Sequence, residues 1–192
     1  MGEVLDLLLK SDLPVLDNTV ALSFLELMEL RVVKALVDAG IPLQTVRAAS
    51  RVARGIFETR YPFATRGTFV EGCRIFLSVS HDSGDADLVE LHRQRHVQVT
   101  MGQILEPFLK EIEFDVTTSL AHRWWPLGPG APVVLDPAIA FGAPVIQGSR
   151  VRTNIAASMA AEDRTQVVAE ALGVSVLGVE AAVRFEAQLA AA

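Results

Sequence analysis

The pattern of apolar and polar positions predicts two amphipathic helices near the start of the chain. Ser23 and Glu26 have the spacing of a capping box, so the first helix is expected over residues 24–39. Gly40 ends that helix, because glycine readily adopts a left-handed conformation. Pro42 suits the first turn of a second helix, where a missing amide hydrogen has no helical partner. The sequence therefore predicts an N-terminal helical hairpin.

The second of these helices combines an apolar face with a basic one. Its apolar positions recur at helical spacing, at Val46, Ala49, Ala53 and Ile56. Arginines recur on another face, at Arg47, Arg51 and Arg54. Residues 31–66 carry seven basic against two acidic side chains, a net +5 in a chain whose total is -6. This basic face is a candidate for contacts with DNA phosphates, and an ordinary solvated face is the alternative.

The middle of the chain changes to β-favouring stretches. Short strands of a small antiparallel sheet are predicted over residues 74–80, 88–91 and 97–100. A helix over residues 101–112 and a strand over residues 124–128 follow. Two glycines and two prolines in residues 128–132 indicate a domain boundary near residue 130.

In the last third of the chain, the sequence predicts a short strand over residues 133–135 and a turn-rich segment over residues 136–152. Three helices are predicted after them, over residues 153–161, 164–172 and 175–189. Gly173 ends the second of these helices and Ser175 caps the third, which is the arrangement of a helix-turn-helix. The expected fold is mainly α with a small antiparallel β-sheet (α+β). Its predicted parts are residues 1–66, residues 67–130 and residues 131–192.

Composition bears on location and chemistry. With 51% hydrophobic and 21% charged residues, no apolar run of about 18 residues and no secretory signal, the chain is expected to be cytoplasmic and to contact no membrane. The single cysteine, Cys73, is expected to be a small buried apolar residue.

Catalytic patterns are weak. His92 and His96 have the four-residue spacing of metal ligands on a helix but have no third ligand nearby. Ser80, His81 and Asp82 supply the residue types of a hydrolase, yet adjacent strand residues point to opposite faces. No phosphate loop, nucleotide fingerprint or nucleophile elbow occurs. We therefore expect no enzyme activity, no metal and no cofactor.

One stretch of the chain resembles a known family. The sequence VLDP at residues 134–137, followed by GAPVIQGSRV at 142–151, is similar to the GxPxxxG[ST]R signature and three helices of VapB-type bacterial antitoxins. Residues 22–64 resemble the MerR-like N-terminal part of the longer members of this family. Those members carry a further helix-turn-helix upstream, which residues 1–21 are too few to form, so residues 1–66 are expected to lack a complete N-terminal helix-turn-helix.

The resemblance implies an antitoxin of a type II toxin-antitoxin system that acts as a homodimer. It would neutralise a PIN-like ribonuclease toxin by direct binding and regulate its own operon by binding operator DNA. The family's toxins have an acidic, metal-holding active site, which an inserted arginine or an occluding apolar segment would block. The open alternatives are a MerR-like transcriptional regulator that senses a small molecule and an interaction module that does not bind DNA.

Candidate residues follow from the signature and from the C-terminal helices. In the signature, Gly142 and Gly148 suit positive φ, and Arg150 either contacts a partner or pairs with Asp136. The DNA candidates are Arg47, Arg51, Arg54, Arg150, Arg152 and Arg164. The last helix offers Val176, Leu177 and Glu180 where a DNA-reading helix offers basic groups. The partner-binding candidates are Val176, Val179, Val183, Trp124 and Trp125, the tryptophans being core residues in the alternative interpretation.

Overall fold

The computed structural model describes residues 21–69 and 104–191, which are mainly helical and contain two antiparallel sheets of two strands each. The predicted α+β class is therefore confirmed. The strands expected over residues 74–100, together with Cys73 and the histidines at positions 81, 92 and 96, lie outside the described residues.

The helices lie close to their predicted bounds. They are α1 (Phe24–Asp38), α2 (Leu43–Phe57), α3 (Thr153–Glu162), α4 (Thr165–Leu172) and α5 (Val176–Ala190). Residues 104–111 are also helical, and 3-10 turns form at Pro62–Ala64 and Ala140–Gly142. The strands are β1 (Ile112–Phe114), β2 (Ala121–Trp124), β3 (Val133–Val134) and β4 (Val145–Ile146), paired as β1-β2 and β3-β4.

The chain forms two compact units. The first comprises Met1–Leu109 with Phe114–Ala121, and the second comprises Lys110–Glu113 with His122–Ala192. The turn between β1 and β2 thus belongs to the first unit. The division of the chain into three parts, made from the sequence, stays a prediction.

The hairpin of the first unit begins as its sequence predicts. The Ser23 side chain accepts a hydrogen bond from the Glu26 amide at 3.3 Å, and the Glu26 carboxylate accepts one from the Ser23 amide at 2.7 Å. Gly40 has a φ of +87° between the two helices. The capping box and the glycine turn are therefore confirmed.

The buried face of α2 differs from the prediction at its end. Val46, Ala49 and Ala53 are fully buried, but Ile56 is 56% exposed and Ser50 is buried instead. At 3.6 residues per turn, Ile56 lies about 80° around the helix from Val46 and so falls at the edge of the packed face. The prediction for Ile56 was wrong because an exposed edge position was counted as core.

The second unit contains a strand that the sequence did not reveal. β3 pairs with β4 so that Val133 lies opposite Ile146, whereas residues 136–152 were expected to be a turn-rich segment without a strand of their own. The strand expected over residues 124–128 is also wrong, because β2 ends at Trp124 and the Gly128 amide closes a turn onto the Trp125 carbonyl at 2.9 Å. Pro126 lacks the amide hydrogen that a longer strand would use.

Helix α5 is the centre of the second unit's core. Buried side chains of α5 contact β3, β4, α3 and α4 in clusters that include Val133, Ile146, Ala156, Val168, Val179, Ala181, Ala182 and Phe185. Gly178 lies where α5 meets β4, since a Cβ atom there would be 2.6 Å from Ile146 Cγ2. The close packing of α5 on β4 therefore requires a residue without a side chain.

A membrane-spanning helix was also sought within residues 21–69 and 104–191. No single helix there has the length and apolar composition to cross a bilayer. Only α4 and α5 taken together meet that test, and they are bent by 110° relative to each other.

Candidate interaction site

The last two helices of the second unit form a helix-turn-helix. α4 ends at Gly173, which has a φ of +66°, and the side chain of Ser175 accepts a hydrogen bond from the Gly178 amide at 3.0 Å at the start of α5. The two helices turn by 110°, within the range of about 90–120° that such motifs show. The Ser175 cap and the Gly173 helix end predicted from the sequence are both confirmed.

The outer face of α5 is aliphatic. Leu177 is 70% exposed, Val183 39% and Val176 37%. The other exposed side chains along this face include one acid, Glu180, and one base, Arg184. A helix that reads base edges presents polar and basic groups there, so this face suits a protein partner better than a DNA groove.

Val179, one of the predicted partner-binding residues, does not belong to that face. It is fully buried and packs with Val168 and Ala169 of α4. Its distance of three residues from Val176 suggested a shared face, but the helix-turn-helix bend encloses Val179. Its expected role in partner binding was therefore wrong.

Three of the arginines proposed for DNA binding are exposed and lie at or near the N-termini of α3 and α4. Arg152 is the N-cap residue of α3, Arg164 is the N-cap residue of α4, and Arg150 lies between the bridge partners Val145 and Arg152. The structure brings these three arginines into one unit of the chain. Arg47, Arg51 and Arg54 belong to the other unit.

The basic face of α2 is narrower than the sequence suggested. Arg51 and Arg54 are exposed, but Arg47 is half-buried. The Nε atom of Arg47 is buried and has no hydrogen-bond partner among the described residues. Arg47 is therefore less available to a phosphate group than the other two arginines.

A carboxyl group of the first unit, that of Glu29, is buried. Glu29 of α1 accepts hydrogen bonds from the amides of Phe63 and Ala64, the latter at 2.8 Å. Burial raises the pKa of Glu29 to about 8, although the two amides and the charge of Arg54 act in the opposite direction. Sequence analysis missed this residue because a glutamate on an amphipathic helix gives no sign that it is buried.

Asp136, in the turn-rich segment of the second unit, forms an ion pair with Arg123. Asp136 is 1% exposed and accepts a hydrogen bond from Arg123 Nε at 2.6 Å and one from the Ala138 amide at 2.8 Å. Burial alone would raise the pKa of Asp136, but these hydrogen bonds and the charge of Arg123 outweigh it and lower that pKa. The predicted alternative, in which Asp136 pairs with Arg150, is therefore wrong.

The 3-10 turn at Ala140–Gly142, the Phe141 loop, presents an aromatic side chain. Phe141 is 99% exposed and has a φ of +58°, a left-handed conformation that is uncommon for residues other than glycine. The preceding Ala140 also has positive φ, and the Gly142 amide donates to the Ile139 carbonyl at 3.0 Å. Sequence analysis missed Phe141, since a lone aromatic in a glycine-rich segment has no periodic pattern.

The glycines of the signature have the conformations predicted for them. Gly142 has a φ of +79° and Gly148 a φ of +75°. After Gly148, the Ser149 hydroxyl donates to the Ile146 carbonyl at 2.8 Å and closes the turn. The signature is thus a sequence of defined turns, with the exposed Phe141 directly before its Gly142 and the exposed Arg150 after β4.

The two tryptophans are half-buried parts of the second unit. The indole nitrogen of Trp124 donates to Glu111 at 3.3 Å, and that of Trp125 donates to Glu113 at 2.9 Å. Arg123 also lies 3.5 Å from Glu113. These contacts give both tryptophans a structural role, and their proposed role in partner binding stays a prediction.

Metal-binding groups were sought in the same part of the chain. Within residues 21–69 and 104–191, no three His, Cys, Asp or Glu side chains are placed to hold a metal ion.

The fold resembles that of a solved structure. The crystal structure of Rv2018 from Mycobacterium tuberculosis is 25% identical in sequence and has a TM-score of 0.68, over 89% of this chain and 83% of that chain. No protein-family model and no curated protein matches the sequence. The chain is therefore similar in fold to Rv2018.

Proposed function

We propose that this protein is a VapB-type antitoxin, which binds a PIN-like ribonuclease toxin and inhibits it. It carries out no catalysis, acts in the cytoplasm, and also binds operator DNA. The observation that carries the proposal is Phe141, an aromatic side chain that is 99% exposed on a left-handed backbone.

The energetics of the Phe141 loop support a binding role. A residue other than glycine in such a conformation costs about 1–3 kcal/mol, and this loop contains two of them in succession, Ala140 and Phe141. The ion pair between the buried Asp136 and the partly exposed Arg123, together with the turn hydrogen bonds of the loop, offsets that cost. A large apolar side chain held outward in this way fits a pocket on another protein, where aromatics supply much of the binding energy.

The charge near the loop fits the same class of partner. Arg150 is exposed and offers five donors in a planar fork that matches carboxylates. The resemblance to VapB-type antitoxins implies a toxin whose active site is acidic. The aromatic side chain of Phe141 next to the signature and the guanidinium group of Arg150 within it can therefore supply apolar and ionic contacts to such a toxin.

Operator binding is expected to use arginines outside α5. Arg51 and Arg54 in the first unit, and Arg150, Arg152 and Arg164 in the second, are exposed. Arginine contacts to phosphates release counterions, so this binding weakens steeply with salt. A second candidate function, transcription regulation without a toxin, is favoured by the 110° turn of the helix-turn-helix.

Co-expression with the protein encoded by the adjacent reading frame tests the antitoxin proposal. We expect the wild-type chain to copurify with that protein and to restore growth, and Phe141→Ala to weaken copurification at least about tenfold, since loss of an interface aromatic commonly costs more than about 1.4 kcal/mol. Val116→Ala is the matched control, because Val116 is also an almost fully exposed apolar side chain, at 97%, on a turn of the other unit.

The outcomes separate the two candidate functions. Absence of a complex and of growth rescue with the wild-type chain would remove the antitoxin proposal. Salt-dependent binding to its upstream DNA in that case would support the regulator. Equal weakening by Phe141→Ala and Val116→Ala would show that the Phe141 loop does not carry toxin binding.

A further inference from the structure

Arg123 contacts two carboxylates at once. Its Nε atom donates to Asp136 at 2.6 Å, and its Nη1 atom lies 3.5 Å from an oxygen of Glu113. The other oxygen of Glu113 accepts a hydrogen bond from the indole of Trp125 at 2.9 Å. A guanidinium group is planar and holds its donors in a fixed fork, so two such partners set the orientation of the whole group. Arg123 thereby joins β1 to the segment that follows β3.

Asp136 connects this guanidinium group to the Phe141 loop. Its second carboxylate oxygen accepts a hydrogen bond from the Ala138 amide at 2.8 Å, and its carbonyl accepts one from the Ile139 amide at 2.9 Å. The carbonyl of Ile139 in turn accepts a hydrogen bond from the Gly142 amide at 3.0 Å. Consecutive hydrogen bonds therefore run from the guanidinium group to the last residue of the Phe141 loop.

The Phe141 loop is not held by burial of its own side chains. All three of its residues are at least partly exposed, and Phe141 itself is 99% exposed. Ala140 and Phe141 both have positive φ, a conformation that is unfavourable for residues with a side chain. The contacts that maintain this conformation are therefore the turn hydrogen bonds and the ion pair that holds Asp136.

We propose that Arg123 is a positioning residue for partner binding, because its contact with Asp136 keeps the Phe141 loop in the conformation that directs Phe141 outward. Arg123 acts through Phe141 and has no need to touch the partner itself. The role in partner binding rests on the proposed function, whereas the role in loop conformation does not. Arg123→Lys keeps the charge but loses the fork that reaches both carboxylates, so we expect it to retain only part of this role.

Hydrogen exchange of backbone amides, measured by NMR on the full chain without a partner, tests the role in loop conformation. We expect Arg123→Gln to speed exchange at the loop amides about tenfold or more, and Arg123→Lys to speed it less, since local opening governs exchange. These amides are those of Ala138, Ile139 and Gly142. Amides of α5 should keep their wild-type rates. Circular dichroism of each variant checks that the fold is intact.

Lys34→Gln is the matched control for this measurement. It removes an ion pair of the same length, between Lys34 and Asp38 at 2.6 Å, from the surface of the other unit. Exchange at the loop amides should therefore stay at the wild-type rate in this variant.

Binding to the protein encoded by the adjacent reading frame, measured by isothermal titration calorimetry, tests the role in partner binding. Arg123→Gln should raise the dissociation constant at least about threefold when Phe141 is present, and should have no further effect in the Phe141→Ala background. This non-additivity is expected because a positioning residue acts through the residue that it positions. A merely structural role would give the same change in both backgrounds.

The two measurements decide the proposal separately. Faster exchange confined to the loop amides, with a loss of binding that depends on Phe141, supports it. Unchanged exchange at these amides in Arg123→Gln overturns it, as does an equal loss of binding in both backgrounds. A wild-type chain that binds no toxin overturns the role in binding together with the proposed function, and hydrogen exchange then decides the role in loop conformation by itself.

Discussion

The helical hairpin of the first unit and the helix-turn-helix of the second have similar local signals but different cores. Each pair of helices has a serine N-cap and a glycine in its turn. These are Ser23 and Gly40 in the first unit, and Ser175 and Gly173 in the second. In the first unit the core contains the carboxylate of Glu29. In the second, α5 packs on β4 through apolar side chains with a glycine at the contact.

This difference shows that similar caps and turns can accompany different kinds of buried contact. The second unit also buries a carboxylate, Asp136, but the contact between α5 and β4 is apolar. A buried carboxylate makes stability depend on pH, since its charged form is disfavoured by desolvation. Close apolar packing depends on shape instead and carries no titratable group. The comparison therefore predicts that substitutions in the two cores differ in both size and pH dependence.

The largest expected effect comes from Glu29→Ala. This change leaves the buried amides of Phe63 and Ala64 without their acceptor, and we expect it to lower the free energy of unfolding by about 3 kcal/mol. Urea denaturation followed by circular dichroism measures the loss. Both tryptophans, Trp124 and Trp125, belong to the second unit, so fluorescence reports whether that unit responds as well. An unchanged midpoint in circular dichroism would contradict the role given to Glu29.

Glu29→Gln isolates the effect of the charge in this prediction. The native pKa of about 8 is above the ordinary glutamate value of 4.5, so the native state retains a proton that the unfolded chain releases between these pH values. The stability contributed by Glu29 is thus present below about pH 4.5 and is lost as the pH rises to about 8. Relative to the wild type, Glu29→Gln should gain up to about 1.4 kcal/mol per pH unit across this window. A constant difference would show that Glu29 is ionised throughout.

The second-largest expected loss of stability comes from Gly178→Ala, which tests the close packing of α5 on β4. Gly178→Ala places a Cβ 2.6 Å from Ile146 Cγ2 in the packed contact of α5 with β4. We expect a loss of about 1–2 kcal/mol, because overpacking outweighs the gain in helix propensity. The matched control is Gly55→Ala in α2, where a Cβ would meet nothing within 4 Å.

The control should change stability in the opposite direction. Alanine favours a helix over glycine by about 1 kcal/mol, so Gly55→Ala is expected to raise the unfolding free energy by about 0.5–1 kcal/mol. Thermal unfolding of both variants at one pH measures the contrast. If Gly178→Ala were as stabilising as Gly55→Ala, the packing described for α5 would be incorrect.

The smallest expected loss of stability comes from removing the serine N-caps that the two helix pairs share. Ser23→Ala and Ser175→Ala each remove one side-chain cap, and each should cost about 1 kcal/mol. The two losses are expected to be similar, since a cap acts within one turn of its helix. Denaturant midpoints of the two variants, measured side by side, check this. A difference larger than about 1 kcal/mol would show that the surrounding core alters the contribution of a cap.

Much of the helical structure could be predicted from the sequence. The bounds of α1 to α5, the capping box and the positive φ of Gly142 and Gly148 all follow from signals within a few residues of each other. β4 could not be predicted in this way, since it is two residues long and lies between Pro144 and Gly148. A strand of that length is defined by its partner β3 rather than by its own pattern.

The candidate site was predicted less completely. Arg150, Arg152 and Arg164 are exposed, and their roles in DNA binding stay a prediction, whereas Val179 is buried by the turn between α4 and α5. The exposed aromatic Phe141 was missed altogether. Whether a side chain in a turn points inward or outward depends on the backbone conformation of that turn, and residue type alone does not reveal it.

The sequence by itself determined where the helices begin and end and which glycines turn the chain, because capping and backbone conformation act over about one helical turn. The tertiary structure decided which polar groups are buried and which apolar groups are exposed. Glu29 meets Ala64 across 35 positions of the chain, and Arg123 meets Asp136 across 13. Burial and its effect on pKa are properties of such distant contacts, which appear only when the chain has folded.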